Sequence, residues 1–126
     1  MFTVAKRAIA DVEPILYKTP KAGETFTLGE ALKEAAGVLT AVAATDRPGY
    51  VCAGGVTKGG MLPVIRVLPT TFFKTISAVA VGTALIGSAV TLTADALGVT
   101  ATTANGVFTV DETDGASPSV VIGYFK

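Results

Sequence analysis

The chain has 126 residues, half of them apolar, with ten basic and ten acidic side chains and no formal net charge. This length suits one domain with its own core and is too short for two. The basic side chains form no dense run, which argues against nucleic acid as a partner. Because the chain has no histidine, it lacks the Ser–His and Cys–His pairs of many hydrolases and the usual histidine-containing zinc site.

The numbers of cysteine and charged residues further limit the class of protein that the chain can be. The single cysteine, Cys52, excludes an intrachain disulfide and is predicted to be a buried core thiol. Charged residues make up 16% of the chain, below the roughly 25% of typical soluble domains, and this favours an assembled state. Residues 1–10 lack the apolar core of a signal peptide. The low-charge stretch at residues 75–94 holds too many Gly, Ser and Thr residues for a membrane span, so no membrane partner is predicted.

Residues 1–20 are predicted to form an extended N-terminal arm, followed by a single β domain over residues 21–126. Pro14 and Pro20 interrupt any long element, and residues 13–17 suggest one short strand. A frayed terminus and an arm that becomes ordered on a neighbouring protein explain this pattern equally well. The candidate contact residues of the arm are its apolar, aromatic and basic side chains: Phe2, Val4, Lys6, Arg7, Ile9 and Tyr17.

Residues 25–44 allow two interpretations. The run at residues 29–36 is rich in helix formers, and Gly37 follows where a helix would end. Residues 25–28 and 38–42 alternate as strands, however, and a helix of two turns is marginal by itself. We therefore predict a strand–turn–strand hairpin that turns at residues 35–37, with a short helix as the alternative.

The rest of the chain consists of short apolar runs separated by Gly, Pro, Asn and Asp. Further strands are predicted at residues 50–53, 61–68, 72–79, 107–112 and 119–125. Residues 90–110 alternate apolar and hydroxyl side chains, which indicates a half-buried antiparallel sheet. Asn105-Gly106 is typical of a type I′ hairpin turn, which needs two positive φ angles. About nine short strands with at most one short helix predict an all-β fold, a small antiparallel β-barrel or β-sandwich.

No pattern in the sequence points to catalysis, a cofactor or a metal. The glycine pairs around Lys58 do not have the spacing of a phosphate-binding loop. The acidic group at residues 111–114 lacks the ligand spacing of a calcium loop, and Glu30 with Glu34 is a weak candidate for acid–base work. One basic face is a candidate for docking on an acidic protein surface, with solubility as the simpler explanation; its residues are Lys6, Arg7, Arg47, Lys58, Arg66 and Lys74.

The order of strands and turns resembles the small head decoration, or capsid cement, proteins of tailed bacteriophages. The resemblance covers roughly residues 20–125 and contains no diagnostic motif. Its matching parts are Ala22–Leu32, Gly37–Thr40, Arg47–Cys52, Leu62–Val67 and the Thr-rich C-terminal hairpins.

The resemblance implies a compact, β-tulip-like domain on the outer surface of the virion, made in the host cytoplasm. Such proteins bridge subunits of the major capsid protein, commonly as trimers, and an N-terminal arm often becomes ordered on the capsid by strand addition. Residues 1–20 are the counterpart here, so deleting residues 1–15 is expected to leave a folded domain that attaches weakly. The family brings no catalytic residues and no small-molecule substrate.

Two other functions remain open from the sequence. One is a different phage structural module, such as a head-fibre base, a tail tube or a tail-fibre domain. The other is a carbohydrate-binding β domain, which would need a cleft lined by exposed aromatic side chains. The absence of tryptophan weakens that alternative.

Overall fold

The computed structural model describes residues 1–10, 12–56 and 59–126. These residues form ten strands, in chain order: β1 Thr3–Arg7, β2 Ile15–Lys18, β3 Ala31–Ala35, β4 Val38–Ala41, β5 Tyr50–Cys52, β6 Leu62–Arg66, β7 Thr71–Ser77, β8 Ala89–Val90, β9 Phe108–Thr113 and β10 Ser119–Phe125. A single 3₁₀ turn, Thr83–Leu85, is the one helical element within the described ranges. The prediction of an all-β fold is therefore confirmed. No helix among the described residues is both long and apolar enough to cross a membrane.

The strands form two antiparallel five-stranded sheets, and neither sheet closes on itself. Sheet A has the order β1-β7-β10-β9-β8, and sheet B has the order β2-β6-β5-β3-β4. After β2 the chain reaches the far edge of sheet B, where Thr19 O accepts from Leu39 N (2.9 Å) and Lys21 N donates to Leu39 O (2.8 Å). Sheet B is therefore strongly curled, whereas sheet A lies against one of its faces.

The curl of sheet B produces two separate cores. The first core lies between the sheets and contains four phenylalanines, Phe2, Phe73, Phe108 and Phe125. The second core lies on the other face of sheet B and contains Leu32, Leu39, Tyr50, Cys52, Leu62 and Val64. Phe26 packs against this second core from a segment without strand structure, so the strand predicted at residues 25–28 is wrong. Cys52 is buried, as predicted.

The ambiguous segment at residues 29–44 forms the predicted hairpin. β3 and β4 pair from Leu32 with Ala41 to Ala35 with Val38. Ala36 and Gly37 make the turn with φ angles of +51° and +81°, the pair of positive angles that a type I′ turn requires. Adjacent residues of β3 belong to different cores: Ala31 is part of the first core and Leu32 is part of the second. This burial with period two outweighs the helix propensity of the segment.

Residues 1–20 differ from the predicted extended arm. β1 pairs with β7 of sheet A and β2 pairs with β6 of sheet B, so this segment supplies one outer strand to each sheet. Phe2 is 2% exposed, and its ring centroid lies 5.6 Å from that of Phe108 and 5.1 Å from that of Phe125. The sequence hides this arrangement because β1 and β2 are short and their partners lie 44 or more residues away along the chain.

Residues 90–110 are less regular than predicted. Between β8 and β9, the structure records one isolated bridge, between Leu92 and Val99. Val90, Leu92 and Val99 are nonetheless buried, so the alternation identified the core positions correctly. The type I′ turn is wrong: Asn105 has a φ of +58°, but Gly106 does not have a positive φ. A glycine is needed at residue 106 because a β-carbon there would overlap the backbone of Ala89 and Val90.

Candidate functional site

Glu30 and Cys52, two buried groups with possible chemistry, lie close together in the fold. Glu30 is 8% exposed, and its Oε2 accepts a hydrogen bond from Thr27 N at 2.8 Å. Cys52 N donates to Glu30 O at 2.8 Å, and Cys52 Sγ donates to Gly54 O at 3.1 Å. Burial raises the pKa of both side chains. A thiol with a raised pKa is a poor nucleophile at neutral pH, so this pair is structural in character.

Glu30 gives the protein a specific pH dependence. Because its pKa is raised on folding, the folded state binds the proton more tightly than the unfolded chain. Stability is therefore lost as pH rises from the ordinary glutamate pKa of about 4.3 through the raised value. Glu30→Gln keeps an acceptor for Thr27 N and should remove this loss, which urea unfolding of both proteins across that pH range would measure. Parallel pH profiles for the two proteins would contradict the assignment.

The acidic side chains are engaged in separate local contacts. Lys6 Nζ lies 2.9 Å from Asp111 Oδ2 and 3.2 Å from Glu112 Oε2, and these bonds raise the pKa of Lys6. Glu34 Oε2 lies 3.2 Å from Lys18 Nζ, so it does not pair with Glu30. Among the described residues, no group of three or more Cys, Asp or Glu side chains has a geometry that would hold a metal ion.

The basic side chains predicted to share one face have different partners. Arg7 Nε bonds Glu13 Oε2 at 2.8 Å, Arg47 Nε donates to the carbonyl of Lys126, and Arg66 donates to Tyr50 Oη at 3.3 Å. Lys6 is paired as described above. Lys74 makes no ion pair with any described residue, and Lys58 lies outside the described residues.

The six predicted contact residues of the N-terminal segment divide into three groups. Phe2 is buried and Val4 is half-buried. Lys6 and Arg7 are held in ion pairs. Ile9 and Tyr17 are 55% and 58% exposed, so they alone of the six present a large apolar surface to solvent.

An apolar groove of about 330 Å³ opens between β1 and β2. Its walls come from both sheets and include Met1, Val4, Ile15, Leu28, Ile65 and Phe73. Among the described residues, no charged side chain lines it. Val12 is 73% exposed and Ile15 46% exposed, which extends the apolar surface along the connection into β2. The sequence signal for this groove was the set of apolar residues in the N-terminal segment, which was not predicted to be part of the core. Leu28 and Ile65 join the groove only through the tertiary structure.

Three of the four outer strands are protected against further pairing. β1 has a register shift between Val4 and Lys6, β8 has two residues, and β4 is covered by Thr19 and Lys21 at Leu39. Bulges, short length and coverage are common ways to protect the edge of a sheet. In the described part of the chain no strand pairs with the outer side of β2 itself. Coverage of this edge begins one residue beyond β2, where Thr19 O accepts from Leu39 N, so the open part of the edge is at Ile15 and Tyr17.

The hydrogen-bond register directs the backbone of Ile15 and Tyr17 away from β6. Ala53 N donates to Pro63 O at 2.9 Å, so odd-numbered residues of β6 face β5. Even-numbered residues of β6 therefore face β2, where Leu16 is one of the partners. Since successive residues of a strand direct their backbone groups to opposite sides, Ile15 and Tyr17 present theirs outward. We call β1, β2, their connection and the adjoining groove the β1–β2 side.

Comparison with known proteins identifies no relative of this chain. The chain matches no protein family, no curated protein and no solved structure.

Proposed function

We propose that this chain is a capsid decoration protein, a virion component that binds the outside of an assembled bacteriophage head and stabilises it by bridging major capsid protein subunits. The observation that carries the proposal is the β1–β2 side, which combines the open edge of β2 at Ile15 and Tyr17 with an apolar groove. The order of strands and turns along the chain supports it independently, through its resemblance to this family. The proposal assigns no catalytic residue and no cofactor.

Attachment would use two kinds of contact on the β1–β2 side. Apolar burial would come from Ile9, Val12, Ile15 and Tyr17, which are 46–73% exposed in the free chain. Burial of such surface contributes roughly 25 cal/mol per Å². An extended segment of the capsid protein would also pair with the outward backbone groups of β2, as in other strand additions. Many identical copies would then add modest contacts into a large resistance to internal pressure.

A co-sedimentation assay with assembled heads of the phage that encodes this protein tests the proposal. Tyr17→Lys places a charge beside the open edge without changing a core contact, and it should weaken attachment by about tenfold or more. Ile86→Lys is the matched control, because Ile86 is similarly exposed at 47% but does not line the groove. The control should attach like the wild type.

The outcomes separate the function from the surface assigned to it. Wild-type protein that does not attach to heads would exclude the decoration function. Attachment that is equally strong for wild type and Tyr17→Lys would retain the function but remove the β1–β2 side from it.

A further inference from the structure

A second surface, on the outer side of sheet A, is apolar and uncovered. It is formed by the outward residues of the two seven-residue strands β7 and β10. Across these strands Ile76 pairs with Val120 and Lys74 pairs with Ile122, while the rings of Phe72 and Tyr124 meet edge to face at 5.3 Å. Ile76 is 56% exposed and Val120 is 37% exposed. We call these six residues the β7–β10 face.

The two sheets differ in how far the face that points away from the first core is covered. The corresponding face of sheet B carries the second core, which Leu16 and Phe26 help to cover. On sheet A, the side chain of Lys6 reaches over one end of the face, with its Nζ 5.1 Å from the centroid of the Phe72 ring. Large apolar side chains on an open sheet face commonly mark a contact with another protein.

The face has one cation and one carboxylate that make no ion pair with any described residue. At the Phe72 end, Lys6 is neutralised by Asp111 and Glu112. Lys74 lies in the middle of the face, opposite Ile122, and makes no ion pair with any described residue; neither does Asp114. Asp114 lies beside the face, because it lines a shallow hollow with Val120 and Ile122, and its Oδ1 accepts from Val120 N at 3.1 Å. A cation and a carboxylate thus lie on opposite sides of the Val120–Ile122 strip.

We infer that the β7–β10 face binds the same face of a second copy of this chain, with Lys74 of each copy paired to Asp114 of the other. In a two-fold interface each residue contact occurs twice with its roles exchanged. This face has an unpaired cation on one side of an apolar strip and an unpaired carboxylate on the other. Such a face is complementary to itself in that arrangement. The rotation brings apolar strip against apolar strip and forms two ion pairs.

This contact leaves β2 and its open edge exposed on both copies, because β2 belongs to sheet B and β1 is the part of the β1–β2 side that adjoins the face. The inference therefore does not rest on the proposed function. It also differs from the trimer that the family resemblance implies, because a two-fold contact joins two chains. Light scattering on the purified full-length chain separates these arrangements directly. A mass of two chains supports the inference, and a mass of one or three chains overturns it.

Variants that reverse the charge of Lys74 or exchange the charges of Lys74 and Asp114 test whether these two residues pair. Lys74→Glu should raise the dissociation constant of the pair of chains by about tenfold, since it replaces two attractions with two repulsions. Asp114→Asn should weaken association less, because it removes the charge but keeps the acceptor for Ala116 N and Val120 N. The double exchange Lys74→Glu with Asp114→Lys should restore association relative to Lys74→Glu alone.

Two matched controls complete the experiment. Lys21→Glu makes the same charge reversal on an exposed lysine outside the face, and Val79→Ser removes an exposed aliphatic side chain (49% exposed) that is not part of it. Both should associate like the wild type, whereas Ile76→Ser should weaken association. Equal weakening by Lys21→Glu, or no recovery in a double exchange that circular dichroism shows to be folded, would overturn the Lys74–Asp114 pairing.

Discussion

Phe2→Ala is expected to lower the free energy of unfolding by about 3–5 kcal/mol, the range measured for truncating a buried phenylalanine. Phe2 is 2% exposed and packs with Phe108 and Phe125 in the first core. Its backbone N also donates to Gly29 O at 2.9 Å, which ties the start of the chain to the loop before β3. Alanine would leave a cavity between the two sheets that these aromatic neighbours cannot fill.

Urea unfolding of Phe2→Ala and of Tyr17→Ala would measure this difference. Tyr17 belongs to the same N-terminal segment but is 58% exposed, so its replacement should change stability by about 0.5 kcal/mol or less. The sequence alone predicts that removing residues 1–15 leaves the domain folded. The burial of Phe2 and the pairing of β1 with β7 predict that this truncation unfolds, and a cooperative, wild-type-like transition for it would contradict the packing described above.

Gly123→Ala is expected to destabilise the fold by about 3 kcal/mol, at the upper end of ordinary overpacking. Gly123 lies in β10 at a register shift in its pairing with β9. A β-carbon there would overlap the carbonyl of Thr109 and approach Phe108 Cε1 to 2.7 Å. Because both neighbours belong to β9, relief of the clash would distort the ladder or the aromatic core.

Gly82→Ala is the matched control for this prediction. Gly82 has φ −71° and ψ 161°, extended angles that any residue adopts, and a β-carbon there would meet no atom within 4 Å. Its replacement should shift the midpoint of thermal unfolding very little, while Gly123→Ala should lower that midpoint by many degrees. Equal midpoints for the two variants would show that β10 accommodates a side chain at residue 123.

The hairpin at residues 31–41 shows how local sequence and tertiary packing combined. The helix formers at residues 29–36 favoured a helix, whereas the alternation of residues 38–42 favoured a strand of a hairpin. Burial of Leu32 and Leu39 on one face of sheet B agrees with the hairpin. Residues 90–110 show the opposite case, because their alternation identified buried positions but did not indicate how little regular strand would form. There the backbone bonds through loops, such as Thr91 N to Thr102 O at 2.9 Å.

The sequence by itself determined the all-β class, most of the strand positions, the burial of Cys52 and the lack of histidine chemistry. These depend on composition and on side-chain alternation within a few residues, which are local properties. Only the tertiary structure decided that residues 1–20 are outer strands of both sheets, that an apolar groove lies between β1 and β2, and that Lys74 and Asp114 flank one uncovered face. Each of these depends on contacts between segments far apart in the chain, and no local pattern specifies which edges and faces meet.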